Sequence, residues 1–190
     1  MEAFLISIGV VALGEMGDKT QLLAFVLAAR FNRPVPIMLG VLTATLVNHT
    51  AAGAIGAWIA VQLGPQLLRW IVGLGFLAMA AWSLVPDKLD ARLGDIAQRF
   101  GVYGTTVVSF FMAEMGDKTQ VATVALAARY HDLVAVVAGT TLGMMLADVP
   151  VVFLGGAIAK KVPLALVHAL AATVFAVLGV LALLNVGQAF

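Results

Sequence analysis

Apolar residues fill six long blocks of this chain, at about residues 3–29, 36–61, 66–85, 102–128, 133–159 and 164–186. Each block can cross a hydrocarbon layer of ~30 Å as a helix of ~20 residues. The blocks are too long and too continuous for the alternating strands of a barrel. Pro34 and Pro36 punctuate the first junction. The one longer polar stretch, residues 86–101, carries Asp87, Lys88, Asp90, Arg92, Asp95 and Arg99. Its mixed charges and spacing predict a short interfacial helix. The expected fold is an all-α integral membrane protein with six transmembrane helices.

Polar residues interrupt the first and fourth blocks in an identical way. Glu15-Met16-Gly17-Asp18-Lys19-Thr20-Gln21 returns unchanged as Glu114-Met115-Gly116-Asp117-Lys118-Thr119-Gln120, an offset of 99 residues. At the same offset Ala28-Ala29-Arg30-Phe31 meets Ala127-Ala128-Arg129-Tyr130, Gly40 meets Gly139, Gly56 meets Gly155 and Phe76 meets Phe175. The chain therefore divides into a three-helix repeat at 1–85, a linker at 86–101 and a second three-helix repeat at 102–190, forming one transport domain. Three spans per half is an odd number, so the second half enters the membrane from the opposite side, as a 3+3 inverted-topology repeat. The side reached after the first span carries Arg30, Arg33, Lys88, Arg92, Arg99, Lys160 and Lys161, and the other side carries Arg69 and Arg129. By the positive-inside rule the linker is cytoplasmic and both termini lie outside the cytoplasm.

Composition agrees with this picture. The 190 residues are 62% hydrophobic and 11% charged, with a mean hydropathy of +1.05, whereas soluble domains carry about 25% charged residues. A net charge of +1 gives no basic patch to neutralise phosphates, so nucleic acid is not an expected partner. The absence of cysteine removes disulfides, thiolate metal sites and cysteine nucleophiles. Met1-Glu2 offers no basic start for a signal peptide, so the first block reads as a retained span.

The repeated motif lies at mid-membrane. Glu15 and Glu114 sit near the centres of spans of about 27 residues, which as straight helices would measure ~40 Å against a core of ~30 Å. Gly17 and Gly116 point to a local break in each span, tolerated at depth where backbone faces protein or a cavity. In an unbroken helix, Glu15 and Asp18 would instead share one face with Lys19 beside them. Each buried charge costs roughly 2.5–3.5 kcal/mol even on the lenient insertion scale, and intramembrane carboxylates mark ion or proton paths.

The side chains fit a hard cation. Glu15, Asp18, Glu114 and Asp117 supply anionic oxygens, and Thr20, Gln21, Thr119, Gln120 and Asn48 neutral ones. Such a set suits Mn²⁺, Ca²⁺ or Mg²⁺. Asp148, ahead of Pro150, is a fifth intramembrane carboxylate, a metal ligand or proton acceptor, and the proline should break its helix and free a carbonyl. Crowded carboxylates cannot all stay ionised, which makes Glu15, Glu114 and Asp148 the candidates for proton coupling. Each motif sums to one negative charge, so a divalent ion or two protons neutralise the pair. Lys19 and Lys118 read as charge-tuning partners of the acids rather than substrate contacts. Thr20 and Thr119 can also bond back to a helix carbonyl, Gln21 and Gln120 can bridge helices, and Met16 and Met115 can fill gaps. His49 reads as a ligand, a proton relay or an interhelical hydrogen-bonding residue, the last being favoured. Gly53/Gly56 and Gly155/Gly156 permit close helix packing.

The doubled Glu-x-Gly-Asp-Lys-Thr, at Glu15, Gly17, Asp18, Lys19 and Thr20 and at Glu114, Gly116, Asp117, Lys118 and Thr119, closely resembles the Gdt-type cation/proton exchanger family. That family is related to the LysE-type transporters and includes Golgi Mn²⁺/Ca²⁺ transporters and compact bacterial manganese exporters. The resemblance covers essentially the whole chain. It implies a secondary transporter of the bacterial inner membrane, not an enzyme, exporting Mn²⁺ or Ca²⁺ in exchange for protons, with the motif acids as ligands. No cofactor is expected. The partners are the lipid bilayer, the divalent ion and protons, and a homodimer is compatible. The alternative is a passive divalent-cation channel. An intramembrane aspartyl protease would need Gly-x-Gly-Asp, and the second copy has Ala113 where the first glycine belongs.

Overall fold

The computed structural model describes residues 1–85, 97–154 and 164–185. The described residues form eight helices: α1 (Glu2–Glu15), α2 (Lys19–Phe31), α3 (Pro34–Gln62), α4 (Pro65–Ser83), α5 (Ala97–Glu114), α6 (Lys118–Tyr130), α7 (Leu133–Leu154) and α8 (Leu164–Leu183). Residues 86–96 of the expected interfacial helix lie outside the described residues, as do Gly155/Gly156 and Lys160/Lys161, while residues 97–100 are helical at the start of α5. Three helices, α3, α4 and α7, are long and apolar enough to cross a membrane by length and composition, and α8 adds a shorter apolar helix.

The first and fourth apolar blocks are each two half-helices, which settles the choice between a broken and an unbroken span. α1 ends at Glu15, Met16 is extended, and α2 starts after Asp18 at its N-cap. The same break recurs between α5 and α6, with Asp117 as N-cap. Gly17 (φ 84°) and Gly116 (φ 73°) occupy the left-handed region, where a side chain would crowd the following carbonyl at a cost of roughly 1–2 kcal/mol. Both turns are tied locally: Asp18 N–H donates to the Glu15 carbonyl and Asp117 N–H to the Glu114 carbonyl, each at 3.0 Å. Gln21 Oε1 accepts from Gly17 N–H at 3.0 Å, and Gln120 Oε1 from Gly116 N–H at 2.8 Å. The repeated glutamine therefore folds back to satisfy its own turn.

Pro150 does not break α7, which continues to Leu154. The missing N–H removes one backbone bond, and neighbouring helices make such a loss tolerable in a membrane segment. Gln21 Nε2 donates to the nearby Ala147 carbonyl at 3.0 Å.

Two apolar clusters hold the bundle. One joins α4 and α8 to α1 and α6 through Val10, Leu68, Val72, Phe76, Leu126 and Phe175, with the Phe76 and Phe175 rings stacked at 6.3 Å between centroids. The other joins α2, α3 and α5 through Leu23, Leu27, Ile37, Val41 and Phe110, with Val152 of α7. Lipid tails are as apolar as these side chains, so close fit rather than exclusion of water drives the packing. Small residues allow it: a Cβ on Gly56 would sit 2.2 Å from the Val124 carbonyl oxygen of α6.

The outer apolar residues are exposed along whole helix faces, such as Leu39, Leu42, Leu46 and Ile55 on α3. A soluble monomer rarely shows so large an apolar surface, whereas lipid accepts it. Trp58, Trp70 and Trp82 are exposed near helix ends, where indole anchors a span at the membrane interface.

The α4–α8 pair is placed unevenly. Among the described residues α4 packs on α6 and α8 on α1, with no comparable packing of α4 on α5 or of α8 on α2. Ala125 and Ala128 of α6 are therefore buried, while Val26 and Ala29, 99 residues earlier on α2, are exposed.

Candidate cation site

The four half-helix ends meet in the middle of the bundle and bring both motifs together. Glu15, Asp18, Glu114, Asp117 and Lys118 are all buried, as are Thr20, Thr119, Thr45, Asn48 and Asp148. Carboxylate oxygens of Glu15, Asp18 and Asp117 lie within 4.8 Å of one another. This group takes acids from both motifs and could hold a metal ion.

The lysines pair across the motifs. Lys118 Nζ lies 2.6 Å from Asp18 Oδ1, and Lys19 Nζ lies 3.4 Å from Asp117 Oδ2. Each lysine thus offsets an aspartate of the other motif, rather than the glutamate one turn before it. The two pairs differ in access: the Lys118 side chain is 3% exposed and that of Lys19 is 23% exposed. The site is therefore more open beside Lys19, at the start of α2, than beside Lys118. Asp117 Oδ1 also accepts from Lys118 N–H at 2.7 Å. Asp18 and Asp117 both sit at half-helix N-termini, where the backbone dipole favours negative charge.

The glutamates have different surroundings. Thr20 donates its hydroxyl to Glu15 Oε2, while Glu15 Oε1 is buried with no hydrogen-bond partner among the described residues. Glu114 accepts from Thr45 Oγ1 at 2.6 Å and from Asn48 Nδ2 at 2.8 Å. Asp148 is fully buried, and neither carboxylate oxygen has a hydrogen-bond partner among the described residues. It lies within electrostatic reach of Glu15, Glu114 and Asp18.

Residues 3–91 and 102–189 match the family described as divalent cation/proton antiporter GDT1. The chain belongs to the GDT1 family. Its two matched segments correspond closely to the two halves that carry the motif. A protein of Vibrio cholerae named "Putative manganese exporter" is 48% identical over 176 residues, covering 92% of this chain and 87% of that protein. Two rice (Oryza sativa) proteins are more distant. GDT1-like protein 4 is 27% identical over 187 residues, covering 85% of this chain and 66% of the relative. GDT1-like protein 3 is 25% identical over the same length, with the same coverage. No solved structure matches the chain.

Within this GDT1 family chain, most sequence candidates converge on the candidate site and a few are occupied differently. Asn48 spends Nδ2 on Glu114 and on the Phe111 carbonyl, 3.1 Å away. Gln21 and Gln120 turn their carbonyl oxygens onto the glycine amides. Thr119 Oγ1 is buried without a hydrogen-bond partner among the described residues, as are both ring nitrogens of His49. Met115 is exposed. Thr45 is the residue that sequence reasoning missed. Its signal was available: it lies one helical turn before Asn48 and so shares its face.

Proposed function

We propose that the chain exports Mn²⁺ across the bacterial cytoplasmic membrane in exchange for protons, by alternating access. The observation that carries this reading is the convergence of the buried carboxylate oxygens of Glu15, Asp18 and Asp117 within 4.8 Å of one another. Hard divalent ions take such ligands. The family's description as divalent cation/proton antiporters and the name of the Vibrio relative support the choice of ion and coupling.

Charge supports the coupling. Glu15, Asp18, Glu114, Asp117 and Asp148 are five buried carboxylates, and Lys19 and Lys118 are the two cations paired with them. Asp148 raises the deficit from the two negative charges of the motifs to three. Unbalanced charge is costly in low dielectric. A metal and one proton, or three protons, restore neutrality, so exchange of one Mn²⁺ for two protons keeps both loaded states neutral. The empty site resists crossing.

The architecture we propose is six spans in a 3+3 inverted repeat, with spans one and four broken and both termini outside the cytoplasm. An inverted repeat has an alternative packing in which α4 and α8 lean on α5 and α2 instead of α6 and α1. The two packings are the opposite-facing states. The exposed faces of α2 and α5, with Lys19 at their edge, then line the open, cytoplasmic side. The chain contains no cysteine, so single replacements report on this directly. A membrane-impermeant thiol reagent on the cytoplasmic side should modify Val26→Cys but not Ala125→Cys. Equal labelling of both, or labelling of Ala125→Cys alone, contradicts the assigned state.

Transport itself is tested in proteoliposomes with an internal pH reporter and a panel of Mn²⁺, Ca²⁺, Mg²⁺ and Zn²⁺. Mn²⁺ entry should drive protons out, raising internal pH. Mn²⁺ flux without opposing proton movement would identify a channel. A larger response to Ca²⁺ than to Mn²⁺ would reassign the cargo.

A further inference from the structure

We propose that the two glutamates of the repeated motif are not equivalent: Thr45 and Asn48 hold Glu114 aside, and Glu15 is the glutamate that ligates the cation in this conformation. The inference rests on reading the Glu15–Asp18–Asp117 group as the cation site.

Both oxygens of Glu114 are engaged by α3, at 2.6 Å from Thr45 Oγ1 and 2.8 Å from Asn48 Nδ2. Asn48 is itself fixed, since Nδ2 also donates to the Phe111 carbonyl on α5. Glu114 therefore faces a preformed pair of donors, and it is absent from the cluster that Glu15, Asp18 and Asp117 form. Glu15 accepts only from Thr20, its near neighbour in the chain, and keeps Oε1 buried without a hydrogen-bond partner among the described residues. A buried acceptor left unsatisfied is costly, and an arriving cation satisfies it.

The difference is written outside the repeated heptapeptide. At the offset of 99 residues, Thr45 corresponds to Met144 and Asn48 to Ala147. Both are buried on α7, and neither side chain can donate a hydrogen bond. The positions of α7 equivalent to Thr45 and Asn48 therefore offer Glu15 no such pair of donors. The repeated threonines diverge with it: Thr20 donates to Glu15, whereas the Thr119 hydroxyl has no hydrogen-bond partner among the described residues. Thr45 and Asn48 are thus positioning residues acting through Glu114. They convert a duplicated acid into one ligand and one fixed neighbour.

Mn²⁺ binding to purified full-length protein in nanodiscs, followed by loss of the free Mn²⁺ paramagnetic resonance signal, tests this. Glu15→Gln should weaken binding by about 100-fold or more, and Glu114→Gln by only about tenfold, the low end of the range for a neighbour rather than a ligand. Adding Thr45→Val and Asn48→Ala to Glu15→Gln frees Glu114 to take the vacant position and should recover at least about tenfold of the lost affinity. Adding Thr45→Ser alone keeps the hydroxyl and should recover none. A structural role for Thr45 and Asn48 would not produce that recovery. Equal losses for the two glutamine variants, or no recovery in the triple variant while it elutes as folded protein, overturn the inference. Failure of the unaltered protein to bind Mn²⁺ overturns the proposed function, and this inference with it.

Discussion

Asp117→Asn is expected to abolish Mn²⁺-driven proton movement in proteoliposomes. The side chain has three tasks. It contributes an oxygen to the group with Glu15 and Asp18, caps α6 by accepting from Lys118 N–H, and offsets Lys19 across the motif boundary. Asparagine can keep the cap through its carbonyl oxygen but loses the charge that the other two tasks need. Changes to mere neighbours of metal ligands typically cost about 10–100-fold in affinity or activity, so loss of a ligand should reach at least about 100-fold. Asp132→Asn is the control. Asp132 is an exposed residue that accepts from Ala135 N–H at the start of α7, and asparagine can make the same bond. Rates there should match the unaltered protein. Retention of exchange by Asp117→Asn at near-normal rate would remove this acid from the transport site.

Lys118→Met should destabilise the folded protein by about 3–5 kcal/mol, because it leaves Asp18 buried without its cation. Lys19→Met should cost less, since the Lys19–Asp117 pair is longer, at 3.4 Å against 2.6 Å, and Lys19 itself is partly exposed. The measurement is thermal unfolding in detergent of the two variants side by side. Adding Asp18→Asn to Lys118→Met removes the orphaned charge and should restore much of the stability, without restoring transport. This separates the folding role of the pair from the proposed use of Asp18 as a ligand. Equal destabilisation by the two lysine variants would contradict the difference in access.

The apolar blocks were legible in the sequence because hydrocarbon demands long uninterrupted runs, and the described helix ends fall near the block ends. The breaks at Gly17 and Gly116 were legible too, since a glycine between two acids in an overlong span leaves few alternatives. Lysine pairing was not. Lys19 and Glu15 are close along the chain, but the break rotates α2 away from α1, and only the meeting of the two breaks decides that each lysine faces the other motif's aspartate. The tether on Glu114 depended on the rotational phase of α3, which Thr45 and Asn48 set jointly. Pro150 misled because a proline that ends a helix in water can be tolerated within one among packed helices. The uneven seat of α4 and α8 had no sequence marker: both are mostly apolar, and nothing along them distinguishes α6 from α2 as a neighbour.

The cross-paired breaks also bear on how the chain enters the bilayer as it is made. α1 and α2 hold 14 and 13 residues, about 20 Å each at 1.5 Å per residue, and neither spans the core alone. When the first half emerges, Glu15, Asp18 and Lys19 arrive before Asp117 and Lys118 exist. The cross-partners lie in the second half, so the charges of the first break reach their final pairing only after α5 and α6 are made. Assembly of the site is therefore a late event, completed once the second motif, 99 residues further on, has been added.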